Sequence, residues 1–78
     1  MSPSEADQRI IQSRHILGKY MQMTEAGEAP GPETLPIIND EIDILERMAG
    51  LHPSKASKLE SLRARWNGLR MMIRGAMH

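Results

Sequence analysis

Few side chains in this sequence could move a proton or hold a metal. His15, His52 and His78 share no ligand-like spacing. His15 has Ile11, Gln12, Gly18 and Lys19 at helical spacing, so no carboxylate stands where it could orient the ring for general base work. His52 stands in a turn before Pro53. Asp40, Glu41, Asp43 and Glu46 form an acidic cluster, but it lacks the spacing and the glycine of a calcium loop. A Glu-x-x-His pair, the mark of a di-metal site in a helix bundle, is absent. So are a Gly-x-Ser-x-Gly nucleophile turn and a glycine-rich phosphate loop. With no cysteine there is neither a thiolate ligand nor a disulfide. These spacings point away from an enzyme. No catalytic residue, metal ligand or cofactor is expected.

The remaining chemistry is that of binding. Residues 1–52 hold four bases and nine acids, and residues 53–78 hold six bases and one acid. The net charge is zero, yet it is split between a segment at −5 and a segment at +5. Lys58, Arg63, Arg65 and Arg70 flank an apolar seam in the basic segment, and they are the candidate contacts to nucleic acid. Against that reading, only Trp66 among them offers a ring, and it lies on the seam rather than on a stacking face. The seven methionines suit adaptable contact surfaces.

A chain of 78 residues buries only about 60% of its unfolded surface, so it needs well-packed helices or a partner. The spacing predicts three helices in one domain over 1–78, at about 3–26, 33–49 and 54–76. There is no alternating strand pattern, no Val and no Phe. The first helix opens at Ser2-Pro3-Ser4-Glu5, read as a Ser2 cap with Glu5 closing a capping box. Its apolar face is Ala6, Ile10, Leu17, Tyr20 and Met21, with Ser13 and Thr24 as weak points on that face. Gly27 ends it, and Pro30-Gly31-Pro32 breaks the chain.

The second helix has a seam of Leu35, Ile38, Ile42, Leu45 and Ala49, and a second stripe of Ile37, Ile44 and Met48. Gly50 is the expected left-handed stop, with Leu51 folding back. The third helix carries Leu59, Leu62, Trp66, Leu69, Ile73 and Ala76 at spacings of 3, 4, 3, 4 and 3. Ser54 or Ser57 is its expected cap. The seam stays in phase across Asn67-Gly68, so one continuous helix is expected there despite a strong turn dipeptide. The short connection makes helices two and three an antiparallel hairpin. In that hairpin Glu41 would face Lys58 or Arg65, and Glu46 would face Arg63. The end of helix three, with Met71, Met72 and Arg74, would run beyond the reach of helix two.

The sequence therefore describes an all-α three-helix bundle that works by binding: a small adaptor, chaperone or inhibitor of another protein. Ile37, Ile44, Met48, Met71, Met72 and Arg74 are the expected partner-binding residues. Self-association is expected, a homodimer first. A nucleic-acid regulator using the third helix is the alternative. No apolar run reaches the roughly 18 residues of a membrane span, and MSPSEADQR is too polar for a signal peptide. The expected location is the cytoplasm.

Overall fold

The computed structural model describes residues 4–76. Three helices make up a small bundle: α1 Glu5–Glu25, α2 Leu35–Leu51 and α3 Ala56–Gly75. Short 3-10 turns, Pro32–Thr34 and Pro53–Lys55, lead into α2 and α3. The three expected helices are all present, and α3 is unbroken across Asn67-Gly68.

The ends show which residues stop and start each helix. Ser4 caps α1: its hydroxyl accepts from the Asp7 N–H at 3.2 Å and donates to the Asp7 carboxylate at 2.9 Å. The expected Ser2 cap lies outside the described residues. At the other end Gly27 takes φ +80°. Its N–H donates to Thr24 O, and the Glu28 N–H donates to Met23 O at 2.8 Å. That pair of bonds is a Schellman closure, which needs a left-handed residue at this position.

Gly50 is not the stop of α2. The helix runs through it to Leu51, and Gly27 is the only residue with positive φ among those described. Leu51 is 75% exposed rather than folded back. The stop comes from Pro53, which holds the residue before it away from helical geometry. His52 sits at φ −128°, ψ 74°, and its N–H closes on Met48 O at 2.8 Å. Neither Ser54 nor Ser57 caps α3; no side chain does. The 3-10 turn leads straight into the helix instead, with the Ala56 N–H bonded to Pro53 O.

The core is the α3 seam closed by the α2 seam. Leu59, Leu62, Trp66, Leu69 and Ile73 pack with Ile38, Ile42 and Leu45, and α1 adds Ile10 and Leu17. The α2–α3 pair is the tight one. Helix α1 packs mainly on α3 and runs parallel to it: Asp7 meets Lys55, and Ser13 meets Trp66 further along both helices. Burial along the α3 seam continues through Ile73. Met71, Met72 and Arg74, off the seam, are exposed.

Trp66 is fully buried. Its indole N–H donates to the buried Ser13 Oγ at 2.8 Å, and its ring meets Tyr20 edge-on, with centroids 6.0 Å apart. A buried indole N–H needs an acceptor. Ser13 is therefore not a weak point on the apolar face of α1, but the group that lets a tryptophan be buried there. Thr24, the other polar residue on that face, bonds back to Tyr20 O.

Candidate functional site

Among the described residues no acid of α2 pairs with a base of α3. The buried Glu41 carboxylate takes the Arg9 guanidinium of α1 as a two-point fork, with Arg9 Nε at 3.0 Å and Nη2 closer still. Lys58 and Arg65 have no part in it. Glu46 and Arg63 form no ion pair either. Among the described residues the ion pairs are Arg9–Glu41 and Asp7–Lys55, and both involve α1. The expectation that acids of α2 neutralise bases of α3 is overturned. Glu41 sits toward α1 rather than toward α3, which places it within reach of Arg9.

The four candidate nucleic-acid contacts divide by helical phase. Arg63 and Arg70 are two turns apart on the α2 side of α3. Arg70 is part of the packing there: Nη1 donates to Asn39 Oδ1 at 3.0 Å, Nη2 donates to Asn67 Oδ1, and Nε is buried without a partner. Asn67, half of the suspected turn, thus serves as an acceptor for the arginine one turn on. Lys58 and Arg65 lie two turns apart on the other flank, toward α1. There they meet Arg14, and with Ser57 and Ser61 over Leu62 they line a hollow of about 220 Å³.

A second hollow of about 220 Å³ follows along the same α1–α3 seam, lined by Leu17, Met21, Gly68, Leu69 and Met72. Arg65 borders both. The two lie one after the other along the α1–α3 seam, here called the groove, with Arg65 between them: the first is basic, near the start of α3, and the second is apolar, toward its end. Arg14, Lys58 and Arg65 form no ion pair among the described residues. A larger depression of about 400 Å³ lies between α1 and α2, lined by Glu5, Arg9 and Gln12 of α1 and by Ile44, Arg47, Met48 and Leu51 of α2. It carries both signs of charge.

The six expected partner-binding residues do not form one surface. Ile44 and Met48 are half-buried in the α1–α2 depression. Met72, 48% exposed, is in the α1–α3 groove. Ile37, Met71 and Arg74 are exposed elsewhere on α2 and α3. Arg14 was not among the expected residues. Its signal in the sequence is its place seven residues before Met21, on the same flank of α1. Among the described residues no group of His, Cys, Asp or Glu could hold a metal, and no helix is long and apolar enough to cross a membrane.

The Asp7 carboxyl, in α1's first turn, is held below the usual aspartate range by the hydrogen bond from Lys55 and then by that from Ser4. It is the one group near the groove's basic end with a resolved shift. Comparison of the chain with protein-family models, curated proteins and solved structures finds no match.

Proposed function

We propose that this protein is a non-enzymatic binding module whose partner is another protein, held in the α1–α3 groove. The observation that carries the reading is Arg65, which borders both a hollow where it lies with Arg14 and Lys58, two other cations outside any ion pair among the described residues, and a methionine-lined apolar hollow. Methionine adapts to the shape of what it meets, and unpaired cations beside it select for acid. Such a surface suits a small adaptor, chaperone or inhibitor.

A photo-crosslinking residue placed at Met72, and a control at the exposed His15 outside the groove, tests the reading in native extract. Protein adducts from position 72 and not from position 15 are expected. Equal adducts from both positions, or none from either, would remove it.

The second reading is a nucleic-acid contact, favoured by Arg14, Lys58 and Arg65 lying together in one hollow. It requires binding of a short single-stranded oligonucleotide that weakens steeply with salt and is lost on Lys58→Glu. Failure to bind at low salt excludes it.

A further inference from the structure

The occupant of the groove can be specified from the direction of its walls. Arg70 bonds to Asn39 and so marks the α2-facing flank of α3. Lys58, Arg65 and Met72 recur every seventh residue on the opposite flank, the side left open by α2. The fourteen residue steps from Lys58 to Met72 span about 21 Å, which is about four helical turns.

Helices α1 and α3 are parallel, so the positive ends of their dipoles point the same way, that of α3 lying beside Lys58 and that of α1 nine residues before Arg14. Glu5 and Asp7 offset that end of α1, but the first turn of α3 has neither an acid nor a side-chain cap. An added helix running antiparallel to both would bring its negative end to this place. It would also complete an up-down-up-down four-helix bundle.

We infer that the groove receives an amphipathic helix of a partner protein, antiparallel to α1 and α3. Its N-terminal turns are apolar, against Met21 and Met72. Its C-terminal turns are acidic, against Arg14, Lys58 and Arg65. This rests on the groove being the protein-binding face, and adds the chemistry and direction of what binds.

Two fluorescent peptides of about 14 residues test it by anisotropy. Both contain the same Leu, Ala, Gln and Glu residues; one has Glu confined to its last two turns, and the other has the reverse order. The first should bind the whole chain, more weakly as salt rises, and at least about tenfold more tightly than the second, a difference of about 1.4 kcal/mol. Arg65→Glu and Met72→Asp, both exposed positions whose folding is checked by helical circular dichroism, should each weaken it about tenfold. Equal binding of the two peptides, no binding, or indifference to both substitutions overturns the inference. So does sedimentation showing self-association of the chain that Arg65→Glu abolishes, which gives the groove to a second copy. If crosslinks from position 72 persist while neither peptide binds, the helical occupant is wrong and the protein-binding groove stands.

Discussion

The Trp66 indole N–H donates to the Ser13 hydroxyl at 2.8 Å, with both side chains fully buried. This bond ties α1 to the helix on which the core is built. Ser13→Ala should leave the indole N–H unsatisfied and cost about 1–3 kcal/mol. In a domain this small each kcal/mol lowers Tm by about 4–8 °C. Trp66→Phe should cost more, through lost volume as well. The double variant should cost less than the sum of the two, because the two groups share one interaction. Strict additivity in denaturant titrations would show that the bond contributes nothing.

Arg9 and Glu41 make the second tie, between α1 and α2. Glu41 is the more buried partner, with its side chain 8% exposed. Arg9→Met strands that carboxylate and should destabilise by about 2–4 kcal/mol, less than a fully buried pair because Arg9 keeps some water. Arg9→Met with Glu41→Leu should recover most of the loss, since an apolar pair of similar size has no charge to desolvate. A double variant as unstable as Arg9→Met alone would mean that the loss is not the stranded charge.

Asp7 sets a pH dependence of known sign. Its carboxyl titrates below the usual range in the folded chain, chiefly through Lys55 and then Ser4. A carboxyl with a lowered folded pKa contributes stability above its unfolded pKa, about 3.9, and that stability is lost as pH falls through the folded value. Asp7→Asn should remove this contribution. Its Tm should lie below that of the natural chain at pH 6, and the gap should close toward pH 2. A gap that stays constant over this range would contradict the assignment.

Glycines separate strain from slack. Gly27 has φ +80°, a conformation unfavourable to a side chain, so Gly27→Ala should destabilise by about 1 kcal/mol. Gly18 and Gly68 are inside α1 and α3, with nothing within 4 Å of an added Cβ. Alanine at either should stabilise by about 1 kcal/mol. Thermal melts of the three variants check the opposite signs.

The α3 seam was legible because packing along a helix imposes a 3–4 spacing, and Leu59 through Ile73 keep it without a break. The same spacing carried α3 across Asn67-Gly68, where local turn propensity pointed the other way. What could not be read were choices made between helices. Ser13 is a polar defect on an apolar face until Trp66 is placed against it. Glu41 flanks the α2 seam, and only the position of α1 shows that Arg9, not Lys58 or Arg65, claims it. At the α2 stop two signals competed: Gly50 permitted an end, while Pro53 imposed one two residues after the helix had passed through the glycine. The groove was hidden for the same reason. Arg14 is distant in sequence from Lys58 and Arg65, and nothing in α3 alone distinguishes the flank facing α1 from the one holding Arg70.

Arg65 is where the groove's acid-selecting and apolar parts meet, so it offers the most direct test of the binding account. The measurement is the yield of protein adducts from a photo-crosslinking residue at position 72, in the natural background and in Arg65→Glu. The account predicts a fall of about tenfold, the loss of about 1.4 kcal/mol of binding. An undiminished yield with the helical content intact would contradict it.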